Sequence, residues 1–172
     1  FMATRTGKRN MGWRPDLPAT LTFVEALDGG DPANKVEFRD ELFAWEAPFN
    51  SNPKSLVKTP QRYAGASWGN DNTALIFDNW YDTRNIKTYL FNPSKPEKGL
   101  KVIWDRNQQD IYSDPGSFET KKNQYGRYVL NIENNKGYLI GKGFTKEGQF
   151  PFIDEFDFGT LKTKRMYTSN LK

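Results

Sequence analysis

Ser67 lies in Gly65-Ala66-Ser67-Trp68-Gly69, which fits the pattern G-x-S-x-G. In an α/β-hydrolase that pattern bends a strand sharply into a helix and exposes the serine as a nucleophile. The serine also needs a base, and the usual base is histidine. The chain has no histidine, and Asn70-Asp71-Asn72 followed by a strand-like run stands where the helix would begin. A Ser-His-Asp triad cannot be assembled from this chain alone. No catalytic residue is therefore assigned, and Ser67 is expected beside an inner strand with Trp68 as a packing residue.

The carboxylates offer two further chemistries. Asp28-Gly29-Gly30-Asp31-Pro32 could ring a cation, but its spacing is not that of an EF-hand loop. A turn with solvated Asp side chains and glycines at positive φ is the expectation. Asp154-Glu155-Phe156-Asp157 would put Glu155 and Asp157 on one strand face and Asp154 with Phe156 on the other. Paired carboxylates hydrolyse glycosides, and Asp16, Asp71 and Asp157 are the acids such an enzyme could use here. A solvated strand face is the plainer expectation. The Gly-rich run Gly141 to Gly148 carries Lys142 and Lys146 but lacks the P-loop spacing and its Gly-Lys-Ser/Thr ending, so it reads as a hairpin connection. Trp80, Tyr81 and Tyr112 could stack on a ligand, and are expected to pack in a core or rim. No cofactor or metal site is assigned.

Composition narrows the partners. Net charge is +4, too mild and too mixed to predict a nucleic-acid surface. The clusters Arg5/Lys8/Arg9 and Lys162/Lys164/Arg165 are expected to be solvated charge at a terminus and on a strand face. No apolar run approaches the roughly 18 residues of a membrane span. Neither a nucleic acid nor a membrane is therefore expected as a partner. The absence of cysteine removes disulfides and thiolate chemistry but leaves the compartment open.

The elements that must position these residues are strands. Thr20 to Val24, Glu41 to Trp45, Ala74 to Phe77, Lys87 to Phe91, Leu100 to Trp104, Arg127 to Ile132, Gly137 to Ile140, Phe152 to Phe158 and Lys162 to Thr168 are rich in β-branched and aromatic residues. Gly, Pro, Asn and Asp clusters separate them. No run of helical period is convincing, and Val36 to Asp40 is ambiguous.

The pattern repeats. Trp13-Arg14-Pro15-Asp16 leads into one strand and Trp68-Gly69-Asn70-Asp71 into another, with Tyr125-Gly126-Arg127 as a degenerate third copy. Each lead is followed by an outer strand, a polar turn and a Lys-bearing strand. Units of about 40–50 residues with four strands stack radially in a β-propeller. The expected fold is all-β: a partial β-propeller of about three four-stranded antiparallel blades over residues 12–172, preceded by an N-terminal arm over 1–11. A β-sandwich is the alternative. Three blades do not close, so an apolar face is expected to be uncovered at each end.

Gly12-Trp13-Arg14-Pro15-Asp16, the run from Val24 to Pro32, Arg39-Asp40-Glu41, Ala47-Pro48-Phe49, Trp68-Gly69-Asn70-Asp71 and Tyr112-Ser113-Asp114-Pro115-Gly116 occur in that order. Together they resemble the N-terminal propeller of the glutamyl-endopeptidase-like branch of the prolyl oligopeptidase family of serine peptidases, which has bacterial and plastid members. The resemblance implies a longer parent whose propeller covers a C-terminal α/β-hydrolase domain carrying the triad. With no histidine and no triad, this chain is expected by itself not to be an enzyme; the alternative function is a self-standing β-sheet module that binds a peptide or glycan. By the resemblance its partners would be that hydrolase domain and the peptide substrate, with self-association through uncovered blade faces as a further contact. A bacterial parent would be periplasmic or otherwise exported. Should it cut after acidic residues, basic groups along the channel would help attract substrate.

Overall fold

The computed structural model describes residues 1–170, so the last two residues of the expected arc lie outside the described ones. Strands β1 (Arg9–Trp13), β2 (Thr20–Ala26), β3 (Asp40–Glu46) and β4 (Lys54–Thr59) form one antiparallel meander. A second follows with β5 (Arg62–Asn70), β6 (Thr73–Trp80), β7 (Asn85–Phe91) and β8 (Leu100–Asn107). The third begins with β9 (Ser117–Phe118), is interrupted by a two-stranded hairpin of β10 (Thr120–Lys122) and β11 (Tyr128–Leu130), and resumes with β12 (Lys136–Gly141), β13 (Phe152–Asp157) and β14 (Lys162–Thr168). The fold is all-β: four sheets of antiparallel strands, none of them closed. That arrangement accommodates both the propeller arc and the sandwich expected from sequence.

Alternation decides which face each sheet buries. On β6, Ala74 and Ile76 point one way and Leu75 and Phe77 the other, so this strand is apolar on both sides. One side packs with Trp68, Tyr89 and Phe91 against Val24, Leu42, Ala44 and Val57 of the first sheet. The other packs with Leu90 and Trp104 against Leu139, Phe156 and Phe158 of the third region. The middle sheet is thus covered on both faces. Each fully buried Leu or Phe here contributes about 1.5–3 kcal/mol relative to exposure.

The end faces are less well covered. Ile140 pairs with Ile153 and Ile153 with Tyr167 across the outer face of the third sheet, and Ile140 and Tyr167 are each 56 % exposed. On the first sheet, Trp13 is half exposed, and its ring packs 6.1 Å from that of Phe49. Both outer faces thus carry partly exposed apolar side chains, although Phe23, in phase with Leu21 on the first sheet, is buried.

Several expectations change. Tyr125-Gly126-Arg127 is not a third lead but the turn of the β10–β11 hairpin, fixed by Asn123, whose Oδ1 accepts from Tyr125 N (2.9 Å) and Arg127 N (3.1 Å). An aromatic followed by Gly describes a hairpin turn as well as a blade entry. The first strand of the third sheet is the short β9, which no alternation marks. Arg9 to Trp13 and Arg62 to Asn70 are strands rather than arm and lead. The two tryptophans of the repeat end up equivalent, Trp13 paired with Leu21 and Trp68 with Ala74 near the close of β1 and β5. The ambiguous Val36 to Arg39 is a loop, and β3 starts at Asp40.

Candidate functional site

Two rims offer residues to a ligand. At the rim carrying the β2–β3 loop, charge is buried rather than solvated. Asp40 lies in phase with Leu42 and Ala44 on the inward face of β3, and Asp28 folds in from the loop; neither carboxylate is exposed. Arg62 joins them. Its Nη1 and Nη2 donate to Asp28 Oδ1 (2.9 Å) and Oδ2 (2.7 Å), Nη1 donates to Asp40 Oδ1 (3.1 Å), and Nε donates to the carbonyl of Met2 (2.8 Å). Arg39 adds a bond to Asp28 Oδ2 (2.8 Å) and stacks on Trp80 at 4.0 Å. Arg9 pairs with Asp40, while its Nη1 has no acceptor among the described residues. Burial alone would raise the Asp28 pKa, but the guanidinium hydrogen bonds and the Gly30 N–H hold it below the usual carboxylate range.

This corrects two readings. Asp28 is not a solvated turn residue, although Asp31 is exposed and caps Ala33 N. Arg9 is not solvated terminal charge. The oxygens that a cation would need on Asp28 are already taken by two guanidinium groups. The glycines do take positive φ, 69° at Gly29 and 79° at Gly30, and a Cβ on Gly30 would collide with the carbonyl of Thr4. The first residues therefore dock on this rim: Thr4 N donates to Gly30 O (2.9 Å) and Phe1 stacks on Tyr81 at 4.4 Å. Trp80 and Tyr81 are rim packing, as expected, and Tyr112 stays 61 % exposed.

Beside the network, Asp78 is fully buried on β6. Its Oδ2 accepts from Gln61 N (3.1 Å) and the Tyr89 hydroxyl (3.0 Å), while Oδ1 has no partner among the described residues. Burial pushes this carboxyl up to about 6 despite those two bonds. Tyr89 is pushed up by burial and by the neighbouring carboxylate. A groove of about 490 Å³ opens next to them, lined by Arg39, Gln61, Trp80, Asn85, Lys87 and Asp105. Asp105 is held below the usual range by the Asn85 amide (2.6 Å) and by Lys87 (3.1 Å).

At the opposite rim, Arg14 stacks on Trp68 at 4.1 Å and grips Asp16 through Nε (3.0 Å) and Nη2 (2.6 Å). Asp16 is consumed by that pair. Asp71 is exposed and borders a cavity of about 300 Å³ with Arg14, Glu46, Lys54 and Ser94. Asp157 lies far along the chain in the third sheet, its Oδ1 capping Gly159 N (2.8 Å) and Thr160 N (3.0 Å), which lowers its pKa. The three acids weighed for glycoside chemistry thus have separate structural settings. Glu155 does pair with Lys136 on the outer face (2.7 Å), whereas Asp154 faces inward and pairs with Arg165, so only part of that run is a solvated face. Ser67 sits inside β5 opposite Leu75, and the strand continues to Asn70. Gly141 to Gly148 is the β12–β13 connection, closed by Thr145 and Gly148. Among the described residues no three Asp or Glu groups converge as a metal site.

No family model matches the chain. It is 39 % identical over 175 residues to "Probable glutamyl endopeptidase, chloroplastic" of Oryza sativa subsp. japonica. It is 35 % identical over 176 residues to the protein of the same name from Arabidopsis thaliana. Each match takes in 98 % of this chain, which spans 19 % and 18 % of those relatives. The chain is therefore related to a stretch of longer proteins named as peptidases.

Proposed function

We propose that this chain is a non-catalytic arc of the β-propeller of a prolyl-oligopeptidase-type serine peptidase. In this reading residues 12–172 belong to the propeller, limit which peptides reach a hydrolase domain elsewhere in the parent, and dock on that domain. The observation that carries it is the stack of three successive four-stranded meanders. It coincides with a similarity that covers nearly the whole chain but about a fifth of endopeptidases. Such a stack supplies walls and rims without a nucleophile–base pair. A serine peptidase acting on unfolded peptides needs that kind of size filter over its nucleophile.

The test compares the chain alone with its full-length parent. A fluorophosphonate probe should label the parent at a serine outside this chain, and the parent should cleave peptides that the chain alone leaves intact. Labelling of Ser67 in the isolated chain would overturn the reading, as would a parent that takes up no label.

A further inference from the structure

The β10–β11 hairpin pairs with none of the three four-stranded sheets. It continues directly from β9, and the residues at its base press on β5. A Cβ added at Gly69 would come within 2.6 Å of Ile132 Cδ1 and 3.4 Å of Leu130 Cβ. At its tip Asn123 Nδ2 donates to the carbonyl of Pro15 (2.7 Å), just beyond the end of β1. One hairpin thus reaches the first strand of every sheet: β9 by chain continuity, β5 by packing and β1 through the turn that follows it.

Its two ends are held unequally. Leu130 is buried in the core shared with Leu75, Leu139 and Phe156. Among the described residues the tip is tied to β1's side by one hydrogen bond, that of Asn123, worth about 1 kcal/mol net, between two clefts of about 420 and 430 Å³. Trp13, Pro18, Tyr125 and Arg127 line the first cleft. Tyr125 and Tyr128 are exposed. The base is held by core packing and the tip by a hydrogen bond.

We propose that this hairpin is a strap that sets the width of peptide admitted past β1, β5 and β9. The inference rests on the reading of the chain as the access-limiting arc of a peptidase. With the tip seated on Pro15, an extended peptide can pass. A helical or folded segment, about 10–12 Å across, has to lift it.

The test uses the full-length parent carrying Asn123→Asp. The aspartate keeps the oxygen that accepts from Tyr125 N and Arg127 N, so the turn survives. It replaces the donor facing Pro15 O with a second oxygen. Turnover of a quenched peptide of about 25 residues stapled into a helix should rise about fivefold in kcat/KM, while its unstapled, extended counterpart changes by less than about twofold. A second variant, with residues 122–128 replaced by two glycines, removes the tip but leaves Leu130 and Ile132 in place, and should show the same split. Equal effects on both substrates, or none on either, overturn the strap. Failure of the unaltered parent to cleave either substrate removes the peptidase reading beneath it.

Discussion

Replacing Asp78 by Asn should stabilise the protein at neutral pH. Asp78 is fully buried, and one of its oxygens has no partner among the described residues. The other accepts from Gln61 N and Tyr89 Oη, both of which an amide oxygen can still satisfy. The new amide nitrogen would occupy the position of the oxygen without a partner and would carry no charge there. The carboxyl titrates at about 6 in the folded state against 3.8 for the unfolded chain. The folded state therefore binds the proton more tightly. Stability falls as pH rises from the unfolded to the folded pKa, then levels off. A gap of about two pH units corresponds to about 3 kcal/mol at most. Urea unfolding of both proteins at pH 4 and pH 8 reads this directly. The two should agree near pH 4, and Asp78→Asn should be more stable by about 1–3 kcal/mol at pH 8. A variant less stable at pH 8, or a difference that does not change between the two, would show that ionisation of Asp78 carries no such cost.

Arg62→Ala leaves Asp28 and Asp40 buried with fewer counter-charges and should cost about 3–5 kcal/mol in urea unfolding at pH 7; an effect under about 1 kcal/mol would place the stabilisation elsewhere. Asp28 acts in the opposite sense to Asp78. Its folded pKa is depressed, so the stability it contributes is present above pH 3.8 and is lost as pH falls through the lower folded value; Asp28→Asn should flatten the acid limb of the stability profile. Phe156→Ala removes a ring packed 5.3 Å from Phe118 and 5.1 Å from Phe158. It should cost about 3–5 kcal/mol by thermal or urea unfolding.

The sequence by itself determined the class of the fold. Short alternating runs between Gly, Pro and Asn clusters leave no long helix to build, because strand period and turn chemistry are local properties, although the first strand of each four-stranded sheet (β1, β5 and β9) was not marked by them. It also determined that no histidine-based triad can form from this chain alone. The position of Asp40 in phase with Leu42 and Ala44 was a readable sign that this carboxylate is buried, and Asp78 in phase with Ala74 and Ile76 was another. Their partners were not readable. Arg62 meets Asp28 across 34 residues and Asn123 meets Pro15 across 108. No periodicity records contacts of that separation. Arg9 looked like loose terminal charge and Tyr125-Gly126-Arg127 like a blade entry for the same reason: a local pattern gives the face and the turn, while only the stacking of one sheet on the next decides whether a charge meets water or a guanidinium.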